Sequence, residues 1–183
     1  MPNWCNNNIT ITGPEQKIRA LWELANQEDK GLLSAMHPQP ETMFTGNLGA
    51  AEREQCAEQG IDNWYDWQVN NWGTKWDIST EGLEFTDNGD GTARIEGWFD
   101  SAWRPPIGAY EKFCDDMDNC DLEASYHEPN MDFGGFWSKS DGDKFLDGCH
   151  EEYKLPEEEQ SDLFKRLDEE YNLSENYAMW EEE

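Results

Sequence analysis

Gly82-Leu-Glu-Phe-Thr-Asp-Asn-Gly-Asp-Gly-Thr-Ala-Arg-Ile-Glu-Gly-Trp-Phe99 decides how this chain folds. Two strand-like runs, Gly82 to Phe85 and Ala93 to Phe99, flank Asp87-Asn-Gly-Asp-Gly91, which is dense in residues that tolerate a left-handed backbone. That combination predicts a β-hairpin. A calcium loop is a poor reading of the same residues, because the third and fifth positions are Gly89 and Gly91 and the twelfth is Trp98 where a bidentate Glu belongs.

Upstream, Trp4 to Thr12 alternates Ile9 and Ile11 with polar residues and stops at Gly13-Pro14, as a half-buried strand and its turn should. From Glu15, the set Ile18, Leu21, Trp22 and Ala25 follows helical spacing, and Pro14 stands near the helix start. Residues 29–61 hold Pro38, Pro40 and several glycines without a sustained period, so an irregular excursion is expected there, with a short helix over Ala50 to Gln59. Trp64, Tyr65, Trp67, Trp72 and Trp76 then crowd one window, and Trp76-Asp-Ile78 reads as a strand piece before the hairpin.

Downstream, Pro105-Pro106 precedes Ile107, Tyr110, Phe113, Cys114 and Met117, whose spacing predicts a second helix. Leu122 to His127 reads as a strand. Phe133 to Trp137 and Lys144 to Leu146, joined through Ser140-Asp-Gly-Asp143, form a further hairpin. Pro156 with three glutamates is expected to open a last helix bearing Leu163, Phe164, Leu167 and Tyr171 on one face, and Ser174 to cap a short terminal one.

The resulting order β-α-β-β-α-β predicts an α+β protein with a ferredoxin-like split βαβ core, an antiparallel sheet with two helices on one face. To that core the sequence adds an extra hairpin and C-terminal helices. Residues 1–150 are expected to make the domain, with an irregular insertion at about 29–75, and residues 151–183 an acidic helical appendage packed on it.

Hydrophobic residues make up 36% of the 183, but ten Trp, eight Phe and six Tyr concentrate the apolar surface in large rings. The core is therefore expected to be aromatic rather than aliphatic. No stretch reaches the roughly 20 apolar residues of a membrane span, and Met-Pro-Asn-Trp-Cys lacks the pattern of a signal peptide, which predicts a cytosolic protein. Cys5, Cys56, Cys114, Cys120 and Cys149 are odd in number and without a CxxC pair, so they read as reduced thiols.

The candidate chemistry is thin. His37, His127 and His150 sit in no HExxH or His-x-His pattern, so Cys114, Cys120 and Cys149-His150 would need the fold to converge before they held zinc. Asp115, Asp116, Asp118 and Asp121 could hold magnesium or form a solvated face. There is no GxSxG, GxGxxG or Gly-Lys-Ser/Thr loop. The expectation is no catalytic residue, no cofactor and no metal.

What stands out is charge. Thirteen Lys and Arg face 41 Asp and Glu, a formal −28 spread along the chain rather than gathered in a tail. Such a surface repels nucleic acid and anionic membrane and attracts basic protein surfaces. A compact chain of this length is about 40 Å across, and about 40 Å of DNA duplex carries roughly 24 phosphates. The two charges are comparable, so one acidic face suits a nucleic-acid-binding channel as a decoy. Exposed rings among Trp64, Trp67, Trp72 and Trp76 would suit Arg and Lys better than phosphate, since Lys75 is the only basic residue between Asp62 and Thr92.

Several strings carry a resemblance. Pro2-Asn-Trp-Cys-Asn6 leading into Ile9-Thr-Ile-Thr-Gly13, then Asn70-Asn-Trp-Gly-Thr-Lys-Trp-Asp77 and Ala102-Trp-Arg-Pro-Pro106, resemble the YubB-like ferredoxin-like family of phage- and plasmid-borne proteins. Tyr126-His-Glu-Pro-Asn-Met131, Gly134-Gly135 and Ser174-Glu-Asn-Tyr177 add to it, with Pro-Asn at 129–130 where that family would place Pro-Gly. The resemblance implies a ferredoxin-like core without an iron–sulfur cluster and a mobile-element origin, and it brings no catalytic residues. Mobile elements often counter host defences, so the expected partner is a basic surface on a host nucleic-acid-binding or defence protein, such as a CRISPR effector, restriction enzyme or other nuclease. The expected contact residues are Asp115, Asp116, Asp118, Asp121 and Glu123, with Glu157, Glu158, Asp168, Glu169 and Glu170 as a second patch. The alternative is an interaction or small-ligand module using Trp64, Trp67, Trp72 and Trp76, with acidity serving only solubility.

Overall fold

The computed structural model describes residues 2–181. Glu182 and Glu183, two members of the terminal acidic run, lie outside that range. Among the described residues the chain forms six strands and eight helices. In order these are β1 (Trp4–Pro14), α1 (Glu15–Ala25), α2 (Leu32–Met36), α3 (Ala50–Gln59), α4 (Trp64–Asn71), β2 (Leu83–Asp87) and β3 (Thr92–Ala102). There follow α5 (Ile107–Asp116), β4 (Asp121–Glu128), β5 (Phe133–Ser138), β6 (Gly142–Asp147), α6 (Cys149–Tyr153), α7 (Asp162–Tyr171) and α8 (Leu173–Glu181). No described helix is long and apolar enough to cross a membrane.

The hairpin forms as its turn chemistry dictates. Asp87 and Asp90 accept backbone N–H bonds from Gly89 (2.9 Å) and Thr92 (3.0 Å), while Gly89 and Gly91 supply positive φ. These carboxylates are occupied by the turn, as a hairpin rather than a cation loop requires. β3 then pairs antiparallel with β1, from Trp4↔Ala102 to Pro14↔Thr92, and β4 pairs with the other edge of β1. The sheet order is β2-β3-β1-β4-β5-β6. Its β1-α1-β2-β3-α5-β4 part is the ferredoxin-like split βαβ, and β5 and β6 widen the sheet beyond it.

Alternation along β1 separates the two faces. Cys5, Asn7, Ile9 and Ile11 are buried, whereas Asn6, Asn8, Thr10 and Thr12 point the other way. The buried side meets Ile18 and Leu21 of α1 and Ala109, Tyr110 and Phe113 of α5 in one core with Ile95, Leu122 and Trp137. Asn7 can stay there because its Nδ2 donates to the Cys5 and Phe99 carbonyls and to Ser101 Oγ. Tyr110 has no such arrangement: it is fully buried, and its hydroxyl finds no partner among the described residues. An orphaned buried hydroxyl costs about 1–3 kcal/mol. Tyr110→Phe is therefore expected to stabilise the fold by about 1 kcal/mol in urea denaturation; a destabilised variant would mean that the hydroxyl is satisfied in solution.

The opposite face is half covered. Helices α6, α7 and α8 bring Cys149, Phe164, Leu167, Leu173 and Tyr177 onto Phe136 and Leu146 of β5 and β6, making a second core. Tyr177 donates to Asp132 (3.0 Å), which also accepts the His150 N–H, so the last helix is tied back to the sheet. His127 is buried beneath, and desolvation outweighs its acidic neighbours to lower its pKa.

The structure departs from the expectations in the insertion and in the C-terminal region. Trp76-Asp-Ile78 is not a strand, because Asp77 Oδ1 accepts the N–H groups of Leu33 and Ser34 and the Ile78 carbonyl accepts that of Leu32. That segment closes the start of α2 instead. The insertion holds α2 and α4 as well as α3. The last turn-rich segment also differs: Pro156 to Gln160 forms turns, and α7 begins after Ser161, whose Oγ accepts from the Phe164 N–H at 3.1 Å. Ser174 does not cap α8; it lies inside the helix and gives its N–H and hydroxyl to Asp168.

Candidate functional site: the open half of the sheet

The uncovered half of the second sheet face belongs to β2, β3, β1 and the near side of β4. Register places Glu84 opposite Glu96, Glu96 opposite Thr10, and Thr10 opposite Glu123, so three glutamates share one row across four strands. In the next row Thr86, Arg94, Thr12 and Asp121 lie side by side. On the other side come Trp98 beside Asn8 and Ser125, then Asp100 beside Asn6. Trp98 is 62% exposed, which leaves a large ring standing among carboxylates. Arg94 is the one basic side chain in these rows, and its Nη2 lies 2.8 Å from Glu96.

The wall of this face is α7. Glu170 Oε1 accepts from Asn8 Nδ2 (2.9 Å) and Ser125 Oγ (3.1 Å), which pins the helix across β1 and β4. Beside it a polar groove of about 330 Å³ runs past Thr10, Glu123, Ser138 and Lys144. Arg166 lies 4.0 Å over the Phe136 ring in the same groove.

The ten expected contact residues divide between the two sides of the molecule. Asp115 and Asp116 end α5, over the opposite face of the sheet, and Asp116 pairs with Lys112 at 2.6 Å. Asp118 follows in the turn, where its carbonyl accepts from Lys17. Asp121 and Glu123, by contrast, stand on the open face. In the second patch Glu157 and Glu158 are exposed before α7, Glu169 is exposed on it, and Asp168 and Glu170 are engaged in internal hydrogen bonds. The sequence reading omitted Glu84, Glu96 and Asp100. The alternation of Leu83 and Phe85 with Glu84, and of Ala93 and Ile95 with Glu96, already set these glutamates on the polar side, but only the pairing with β1 joins them to Glu123.

The aromatic alternative is mostly core. Trp67 and Trp72 are buried and turned away from solvent, Trp64 is half-buried against the core, and Trp76 remains exposed, against Trp4. Lys75 Nζ lies 4.5 Å from the Trp76 ring and 5.7 Å from that of Trp103, so the cation at this cluster is the chain's own.

Among the described residues no group of three or more His, Cys, Asp or Glu is placed to hold a metal ion. All five cysteines are free and buried. Burial pushes the Cys149 thiol up to about 12 and the Cys114 thiol up to about 11, which keeps both protonated near neutral pH.

Residues 72–175, more than half of the chain, match the family model described as the ferredoxin-like domain in Api92-like protein. The matched span runs from the end of α4 through β2 to α8, without β1 and α1. The chain is also similar to a crystal structure of protein api92 from Yersinia pseudotuberculosis, at 11% identity and a TM-score of 0.40, over 80% of this chain and 98% of that one. Comparison with curated proteins finds no match. The family description names a fold rather than a reaction, and on its match the chain belongs to the ferredoxin-like domain family of Api92-like proteins.

Proposed function

We propose that the chain is a non-enzymatic inhibitor of phage or plasmid type that lays its acidic sheet face on the basic surface of a nucleic-acid-binding protein, in the place of nucleic acid. The partner is a nuclease or another defence protein of the host cell. One observation carries this reading: Glu84 stands directly opposite Glu96 on an exposed face, in a row completed by Glu123. Like charges facing each other across a strand pair destabilise a sheet, and Arg94 relieves only one of the three. Such an arrangement costs stability and gains from a cationic partner. Net charge of −28 strengthens the long-range attraction.

The test is capture from host lysate on the immobilised wild type and on a Glu84→Lys, Glu96→Lys, Glu123→Lys variant. A nuclease or DNA-binding protein should be retained by the wild type at low salt, lost at high salt, competed off by duplex DNA, and absent from the variant. Inhibition of the captured enzyme should fall at least tenfold in the variant, by the loss of about 1.4 kcal/mol or more of binding. Equal capture by a folded variant would overturn the assignment to this face. Capture that is indifferent to salt but lost in Trp76→Ala would favour the aromatic module.

A further inference from the structure

On the α1 and α5 side of the sheet, where β5 and β6 extend past α5, the 103–107 segment and the β5–β6 hairpin flank an open cavity of about 620 Å³. Its walls are chiefly apolar: Trp103, Pro105 and Ile107 on one side, Tyr126, Phe133 and Phe145 on the other, and Met131 at the rim. Volume and lining are those of a small-molecule site. Phe145 is 54% exposed and Met131 63%, so two large side chains at this cavity have no covering partner in the chain. Met131 is nevertheless held, because its N–H and that of Asn130 donate to the buried Glu128 carboxylate.

The backbone here is unusual. Trp103 has φ of 72°, the left-handed region. The other described non-glycine residues with positive φ are Asp or Asn, which adopt it readily. A bulky residue does not, and conformations of this kind concentrate at ligand sites. The Trp103 N–H donates to the Asn3 carbonyl at 2.9 Å, and Tyr65 and Lys75 brace its ring, which keeps the indole at the cavity wall.

Two charged residues line the cavity, Asp143 and the exposed Arg104. Asp143 already accepts the Tyr126 hydroxyl at 2.6 Å. Arg104 makes no ion pair among the described residues, in a chain with 41 acidic groups. In a lining otherwise mainly apolar, with Asn3 as its neutral amide, Arg104 is thus the one cation, a fork suited to carboxylate.

We propose that this cavity is a binding site for a small aromatic carboxylate, its ring system against Trp103, Phe133 and Phe145 and its anionic group on Arg104. The site shares no residue with the acidic sheet face, and its test needs no partner protein, so the two assignments stand or fall separately. The probes are 2-naphthylacetate, its neutral alcohol analogue 2-(2-naphthyl)ethanol and the cation 2-(2-naphthyl)ethylamine, measured by titration calorimetry. The acid should bind saturably at one site, about tenfold tighter than the alcohol, with the amine weaker still. Arg104→Gln should abolish the advantage of the acid over the alcohol, and Phe145→Ala should weaken both. Absence of saturable binding, equal affinity for acid and alcohol, or an unchanged acid affinity in a folded Arg104→Gln variant would overturn the proposal.

Discussion

Trp72→Ala is expected to lower the free energy of unfolding by about 3–5 kcal/mol, and Trp76→Ala by no more than about 1 kcal/mol. Both belong to one tryptophan-rich window, and burial separates them: Trp72 is 1% exposed, Trp76 38%. Trp72 ends α4, its indole N–H donates to the His37 carbonyl at 2.9 Å, and Trp67 packs edge-on against it at 5.7 Å. Its carbonyl accepts from Ala109 of α5. The indole therefore ties α4 to the end of α2 while the main-chain carbonyl reaches α5, and removing the buried ring leaves a cavity that its neighbours cannot close without moving. Trp76 loses only a tilted contact with Trp4 and the Lys75 cation. Guanidinium denaturation of both variants decides the matter; similar midpoints would show that the insertion is not part of the cooperative core.

Phe164→Ala should have an effect of similar size, about 3–5 kcal/mol, with a different distribution. Phe164 is fully buried at the centre of the second core, which rests on β5 and β6 through Phe136 and Leu146. Because α6, α7 and α8 pack mainly on one another and on that edge, they form a unit able to open separately. Hydrogen exchange should quicken by more than about a hundredfold in α7 and α8, while the β1 amides change far less. Uniform acceleration across the sheet would mean that the helices and the sheet unfold as one. The opening would also release Glu170 from Asn8 and Ser125, so this variant links the C-terminal helices to the acidic face.

The parts of the fold that were legible are those in which local chemistry suffices. Asp87 to Gly91 can make little but a tight turn, and Ile9 and Ile11 alternate as only a half-buried strand does. Helix α4 escaped because Trp64, Tyr65, Trp67 and Val69 are scattered around its axis among Asp66, Gln68, Asn70 and Asn71, which blurs the period. The misread strand at 76–78 fails for a tertiary reason, since Asp77 is drawn to the N-terminus of α2, 43 residues away in sequence for its bond to Ser34. Helix α6 is only five residues long, and its entry through the left-handed Gly148 resembles any loop glycine. The placement of the acidic residues was hidden for a similar reason. Counting carboxylates cannot show that Asp168 caps a neighbour or that Glu170 binds Asn8, nor can it tell which side of the sheet α5 covers. Glu84, Glu96 and Glu123 become one row only through pairings of β1 with two strands distant in sequence.

That central position of β1 also governs the order of assembly during synthesis. The first of the six strands to be synthesised lies in the middle of the sheet, and its partners are centred roughly 90 and 115 residues later. Until residue 128 is made, β1 has both hydrogen-bonding edges unfilled or only one closed, while the hairpin of β2 and β3 can form alone. The nascent chain must hold an exposed, isoleucine-bearing strand until β4 has been made. Nascent chains halted before β4 should therefore associate through that edge, and the acidity of the rest of the chain becomes their main protection against one another.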